Sequence, residues 1–113
     1  MTIDQIIDDQ MLAFNNRDIK NMMPLYSDEI KVFNFPDNTI TIDGINECKK
    51  MFITLFDNSP KLYAEIINTI TFDNKVIVHE YVYGRNGSDV KTEQIVIFEV
   101  NNQKITRMDL IRK

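Results

Sequence analysis

The second half of the chain is predicted to be almost entirely β-strand. Four long segments rich in β-branched and aromatic residues cover residues 62–72, 75–83, 90–100 and 104–111. Only short turn-forming stretches separate them: Asp73-Asn74, the GRNG sequence at residues 84–87, and Asn101-Asn102. Strands joined by such short turns pair antiparallel, and long strands twist. This half therefore predicts a curled, mostly antiparallel sheet that needs another layer to cover one face.

The first half supplies that layer as helices. Thr2 and Gln5 form a capping-box pattern that opens an amphipathic helix. Its apolar face consists of Ile3, Ile6, Ile7, Met11 and Phe14, with the polar Gln10 on the same side. Asp18 is placed to cap a short second helix, which Pro24 should keep brief. Helices followed by long strands predict the α+β class.

A short strand and a third helix complete the first half. The sequence EIKVFNFP, residues 29–36, alternates like a strand and places Asn34 on the same face as Ile30 and Val32. Gly44 precedes a helical stripe that consists of Ile45, Cys48, Met51, Phe52, Leu55 and Phe56. The three predicted helices and the sheet are expected to form one domain over residues 1–113.

Composition excludes several classes of function. The chain has 113 residues, a net charge of −4 and no basic run longer than a pair, which argues against nucleic-acid binding. No apolar stretch approaches the roughly 20 residues that span a bilayer, so we expect no membrane partner. The acidic N-terminal segment and the single cysteine favour a cytoplasmic protein. With one histidine and one cysteine, neither a metal nor another cofactor is expected.

Three stretches resemble one known superfamily. They are AFNNRDIKNMMPLYSDEIKVFNFPD at residues 13–37, DGINECKKMF at 43–52 and NNQKITRMDLI at 101–111. With the order of elements, they are similar to the nuclear transport factor 2-like superfamily, in its SnoaL-like and ketosteroid isomerase-like branch. The resemblance implies a cone-shaped sheet curled around a long N-terminal helix, with an apolar pocket at the open end. It also implies a homodimer formed through the outer face of the sheet.

The alternation of the long strands predicts which residues line that pocket. Counting through the GRNG turn places His79, Tyr81 and Tyr83 on one face with Gln94 and Val96. By the resemblance, this is the inward face. Glu80 falls on the opposite face, so Gln94 or Asp109 is the better candidate partner for His79. Arg107 and Asp109 of the last strand are expected to share the His79 face unless a β-bulge reverses them.

The resemblance also provides a test of ketosteroid isomerase chemistry, which needs a carboxylate base and two acids that hold an oxyanion. Carried over by position, the base falls on Asn34, and the two donors fall on Gln10 and Val96. An amide cannot take up the proton, and valine cannot donate a hydrogen bond. The sequence therefore predicts the fold without this isomerase activity.

Three hypotheses about function follow. The leading one is binding of a hydrophobic small molecule, and its predicted contacts are Gln10, Phe14, Asn34, Phe52, Phe56, Tyr81, Tyr83, Gln94 and Val96. The second is an isomerase, cyclase or hydrolase in which His79 acts as general base and Asp109 assists it. The third is a dimeric protein-interaction module. Simple packing of His79 in its strand, and a solvated Arg107–Asp109 ion pair, are the structural alternatives to the catalytic roles.

Overall fold

The computed structural model describes residues 1–113, and its elements follow the predicted order with one added strand at Thr39–Asp43. The helices are α1 (Ile3–Asn15), α2 (Ile19–Met22) and α3 (Ile45–Asp57). The strands are β1 (Tyr26–Asn34), β2 (Thr39–Asp43), β3 (Tyr63–Phe72), β4 (Lys75–Tyr83), β5 (Thr92–Asn101) and β6 (Lys104–Arg112). Single 3₁₀ turns cover Met23–Leu25 and Arg85–Gly87. No helix is long and apolar enough to cross a membrane.

The six strands form one mixed sheet in the order β2-β1-β6-β5-β4-β3. Every neighbouring pair is antiparallel except β1 and β6, which run parallel. The sheet curls around α1 without closing, and α1 contacts both β3 and β4. The predicted α+β architecture, with three helices and a curled, mostly antiparallel sheet, is confirmed.

Local sequence signals explain where the helices begin. The hydroxyl of Thr2 accepts a hydrogen bond from the Gln5 N–H, and the Gln5 side chain accepts one from the Thr2 N–H. This is the predicted capping box, which satisfies two N–H groups that the helix leaves free. The Asp18 carboxylate caps α2 in the same manner, and Pro24 lies in the 3₁₀ turn that follows. These three predictions are confirmed.

The inner face of the sheet, which α1 and α3 cover, is not the one that the sequence predicted in β4. Val76, Val78, Glu80 and Val82 are buried there, whereas His79 lies half-exposed on the outer face. In the ladder Glu80 pairs with Gln94, and His79 pairs with Ile95. The predicted parity across the turn was therefore wrong. The connection from β4 to β5 contains a 3₁₀ turn and further unpaired residues, so alternation cannot be counted through it.

The same correction applies to Tyr81, Tyr83 and Asp109. Tyr81 and Tyr83 follow His79 in alternation and lie on the outer face. Asp109 pairs with Ile97, and Met108 is the buried residue of that part of β6. Arg107 and Asp109 do share the face of His79, as predicted, but this face points away from α1. Gln94 and Val96 are buried on the inner face, where they were expected.

Candidate functional site

A cavity lies between the inner face of the sheet and helices α1 and α3. Its volume is about 280 Å³. The apolar residues that line it are Met11, Phe14, Met51, Phe52, Leu55, Val96, Phe98, Met108 and Leu110. Five polar or charged residues complete the lining: Gln10, Glu80, Arg85, Gln94 and Arg112. A mainly apolar wall with a few polar groups is the usual composition of a small-molecule pocket.

The predicted pocket residues divide into two groups. Gln10, Phe14, Phe52, Gln94 and Val96 line the cavity, so the structure brings them together. Their role in binding a ligand stays a prediction. Helical periodicity indicated the buried side of α1 for Gln10 and Phe14, whereas the inward direction of Gln94 and Val96 in β5 was implied by the resemblance.

Phe56 and Asn34 do not line the cavity. Phe56 is buried beside it, with its ring centroid 5.7 Å from that of Phe14 and 5.9 Å from that of Phe52. Phe56 therefore packs against the aromatic residues that line the cavity without lining it itself. Asn34 shares the inner parity of Val32 but is the last residue of β1 and is exposed. The prediction for Asn34 was wrong because the strand ends beyond the part that the helices cover.

Gln10 brings a buried amide to the cavity. Its Nε2 donates to the hydroxyl of Tyr26 over 3.1 Å and approaches the sulfur of Met22 at 3.9 Å. Its Oε1 has no hydrogen-bond partner, although only 3% of the residue is exposed. Burial raises the pKa of the Tyr26 hydroxyl well above its ordinary value, which keeps this phenol protonated. The wall of the cavity therefore contains an amide whose oxygen is left without a hydrogen-bond partner.

Glu80 is the buried carboxyl of the site. Its Oε2 accepts a hydrogen bond of 2.6 Å from Nε2 of Gln94, and 4% of the residue is exposed. Burial raises the pKa of Glu80, while the Gln94 hydrogen bond and the charge of Arg85 lower it to a smaller extent. A buried carboxyl with a raised pKa in the wall of an apolar cavity is a candidate group for proton transfer.

The two predicted catalytic residues make their contacts outside the cavity. Nε2 of His79 lies 2.7 Å from Oε2 of Glu93 on the outer face, so its partner is neither Gln94 nor Asp109. Asp109 accepts two hydrogen bonds from Arg107, of 2.8 and 3.0 Å. The guanidinium of Arg107 stacks on the ring of Phe33, 3.8 Å from its centroid. Both residues thus follow the structural alternatives stated for them.

The two tyrosines are also engaged on the outer face. Tyr83 donates to the carboxylate of Glu65 over 2.9 Å. The ammonium of Lys91 lies 4.1 Å from the centroid of the Tyr81 ring. Neither hydroxyl lines the cavity, so the predicted binding roles of Tyr81 and Tyr83 do not fit their positions.

The sequence reasoning missed Glu80, Arg85 and Arg112. Glu80 carried a usable signal, because it is the single charged residue among the valines of its strand face. Burying a charged residue on an otherwise aliphatic strand face costs free energy, so such a residue is a candidate for a functional role. Arg85 and Arg112 gave no such signal. Arg85 follows the end of β4 and Arg112 is the last residue of β6, and exposed arginines are common at such positions. No group of three or more His, Cys, Asp or Glu side chains is arranged to hold a metal ion.

Solved structures with the same fold cover almost the whole chain. A protein described as having a cystatin fold, from Novosphingobium aromaticivorans, superposes with a TM-score of 0.90 at 17% identity, covering 99% of both chains. A proposed SnoaL-like polyketide cyclase from Jannaschia gives a TM-score of 0.80 at 12% identity, covering 96% of this chain and 83% of the other. A proposed ketosteroid isomerase from Kribbella flavida gives a TM-score of 0.84 at 10% identity, covering 98% of this chain and 77% of the other.

These identities are low, so the likeness establishes the fold and leaves chemistry to the residues of this chain. No curated protein sequence matches it. The model of the SnoaL-like domain, in contrast, matches residues 7–108, which span all three helices and most of the sheet. The resemblance inferred from the sequence is thereby confirmed, and the chain belongs to the SnoaL-like domain family.

Proposed function

We propose that this protein binds a hydrophobic small molecule in the cavity between α1, α3 and the inner face of the sheet. The observation that carries the proposal is the mainly apolar wall around a volume of about 280 Å³. Ligand pockets typically occupy about 300–1,000 Å³, so this cavity suits a small ligand. Its methionines, Met11, Met51 and Met108, have flexible side chains that can adapt to different apolar shapes.

Polar groups in the wall support binding over simple packing. The orphaned Oε1 of Gln10 and the carboxyl of Glu80 are costly to bury, and a core without a ligand gains nothing from them. A ligand that hydrogen-bonds to polar groups of the wall offsets part of that cost. The ligand is therefore an apolar molecule with at least one hydrogen-bonding group.

The experiment is a titration with N-phenyl-1-naphthylamine, a neutral probe whose fluorescence rises in apolar surroundings. We expect saturable binding to the wild type. Leu55→Trp fills part of the cavity and should weaken binding by at least about tenfold, because the probe and the indole compete for the same space. Ile53→Trp is the matched control, since Ile53 lies on the same helix but is exposed and outside the lining. Absence of binding, or equal loss in both variants, would contradict the proposal.

Proton transfer at Glu80 is a second candidate function. The raised pKa of this buried carboxyl favours it, and it replaces the role first assigned to His79, whose imidazole faces away from the cavity. The ionised carboxylate would take a proton from a carbon next to a carbonyl, exchange it with the solvent and return a solvent hydron to the same carbon of the enolate. A direct assay is exchange of the α-protons of 2-octanone in D₂O, followed by NMR. Glu80→Gln should abolish any exchange above the buffer rate; exchange that persists in the variant rules out Glu80.

The outer face of the sheet fits a second copy of this chain. Its centre is aliphatic and consists of Ile70, Ile77, Ile95, Ile97 and Ile111. Two ion pairs on that face, Lys113 with Glu93 and Arg107 with Asp109, neutralise part of its charge. Apolar centres with polar rims are typical of homodimers.

Sedimentation velocity tests the homodimer. The wild type should sediment as a dimer, and Ile97→Lys should convert it to a monomer by placing a charge in the aliphatic centre. Leu12→Lys is the control, because Leu12 is also exposed and apolar but lies on α1. A monomeric wild type at tens of micromolar contradicts this part of the proposal.

A further inference from the structure

Two arginines meet the same amide oxygen at the mouth of the cavity. Nη2 of Arg85 donates to Oε1 of Gln94 over 3.0 Å, and Nε of Arg112 donates to the same oxygen over 3.3 Å. The other side of this amide faces Glu80. Gln94 therefore orients both guanidiniums and separates them from the one carboxyl in the cavity.

Neither guanidinium has an acidic partner. No carboxylate oxygen lies within 4.0 Å of Arg85 or Arg112, and each makes only the one hydrogen bond to Gln94. The remaining N–H groups of both side chains are free of protein acceptors. Burial lowers the pKa of both, the proximity of Arg112 lowers that of Arg85 further, and the charge of Glu80 raises that of Arg85 to a smaller extent. Because arginine stays protonated in proteins, two positive charges are held together here without a direct ion pair.

The surroundings extend this positive charge outward. Arg85, Gln94 and Arg112 also line a groove on the outside of the mouth. The groove contains two more cations, Lys91 and Lys113, and a single acid, Glu93. This is a local excess of positive charge in a chain whose net charge is −4. Such a site attracts anions toward the cavity entrance.

The backbone holds Arg85 in place. Gly84 has φ +76°, a conformation that favours glycine. A Cβ at this position would lie 2.5 Å from the carbonyl oxygen of Lys61, so the backbones of Gly84 and Lys61 are in close contact. The next N–H beyond Arg85, that of Asn86, donates to the buried hydroxyl of Ser59 over 2.7 Å. Arg112 ends β6 directly opposite Gln94 in the ladder. Both arginines are thus pre-positioned, which reduces the entropy lost on binding.

We propose that Arg85 and Arg112 form a carboxylate clamp, and that the ligand of the cavity is an apolar molecule bearing one carboxylate. Its apolar part lies among Phe14, Phe52 and Val96, and its carboxylate takes hydrogen bonds from the free N–H groups of the two guanidiniums. Planar guanidinium groups match the two oxygens of a carboxylate in geometry and charge. This inference rests on the proposed function, because it names the class of ligand for the same cavity.

The test compares octanoate with octan-1-ol, which share one chain and differ in the charged group. We expect calorimetry to show that the wild type binds octanoate at least about tenfold more tightly. The double variant Arg85→Gln, Arg112→Gln should lose that preference while it binds octan-1-ol within about twofold of the wild type. Retained binding of the alcohol also shows that the double variant is folded.

Lys49→Gln controls for the loss of a positive charge, since Lys49 is exposed on α3 and makes no side-chain contact with an acid. It should leave both affinities unchanged. If the wild type binds both compounds equally, or the double variant keeps the preference for octanoate, the clamp is wrong and the hydrophobic site remains. If neither compound binds the wild type, the clamp and the hydrophobic site are both wrong.

Discussion

Gln94 donates a hydrogen bond of 2.6 Å to the carboxyl of Glu80, whose neighbours on the inner side of β4 are all valines. The same amide accepts hydrogen bonds from two arginines. One neutral side chain thus connects the buried acid to the positively charged mouth. Each group in this network keeps its position only while the amide is present, because a hydrogen-bonded network of buried polar groups is stabilised as a unit.

Replacing Glu80 should change how stability depends on pH. Its pKa is raised, so the folded protein keeps this proton at pH values where the unfolded chain has lost it. The contribution of Glu80 to the free energy of unfolding is complete below about pH 4.3, the reference pKa of glutamate, and is lost as the pH rises through the folded pKa. Glu80→Gln, which stays neutral and still accepts from Gln94, should therefore be more stable than the wild type at pH 7.

Urea denaturation between pH 4 and pH 8 measures this difference. The curve for Glu80→Gln should be flatter than that of the wild type across this range. Glu29→Gln is the control, because Glu29 is exposed and its carboxylate makes no contact in the structure. Parallel curves for all three proteins would show that burial does not perturb Glu80.

The buried pair of Gln10 and Tyr26 predicts two changes of opposite sign. Gln10→Met removes an unpaired acceptor, worth about 1–3 kcal/mol, and one hydrogen bond, worth about 1 kcal/mol, so stability should rise by about 1 kcal/mol. Tyr26→Phe leaves the Gln10 amide without its partner and should lower stability by about 1–2 kcal/mol. Chemical denaturation measures both. A clear loss of stability in Gln10→Met would mean that Oε1 is satisfied in solution, by water in the cavity.

Two glycines in one loop provide a matched test of backbone packing. Gly84 and Gly87 both have positive φ, but a Cβ at Gly84 would collide with Lys61, whereas at Gly87 its nearest contact is 4.0 Å away. Gly87→Ala should cost about 1 kcal/mol, from strain alone. Gly84→Ala should cost about 2–4 kcal/mol, because the collision adds to the same strain. Thermal or urea unfolding gives both values, and equal costs would contradict the close approach of Gly84 to Lys61.

His79 is predicted to have no part in ligand binding. Its imidazole lies on the outer face and contacts Glu93. His79→Gln should therefore bind N-phenyl-1-naphthylamine within about twofold of the wild type, as expected for a substitution remote from the cavity. The fluorescence titration described above measures this. A loss of tenfold or more would place His79 back among the cavity groups.

The sequence by itself determined the elements of this protein except β2, which it did not predict as a strand. The Thr2–Gln5 capping box, the Asp18 cap and the turn residues act within a few positions of the chain, so the starts and ends of helices and strands follow from local chemistry. The periodicity of α1 and α3 likewise placed Gln10, Phe14 and Phe52 on the side that lines the cavity.

Only the tertiary structure decided which face of β4 points inward. Both faces of that strand are largely apolar, so alternation shows that His79 and Tyr81 share a face but not whether this face meets the helices. The irregular loop after Gly84 reverses the parity expected from a GRNG turn and brings Glu80 opposite Gln94. The charged mouth arises in the same way, because Arg85 and Arg112 lie far apart in sequence and meet only where β6 pairs with β5.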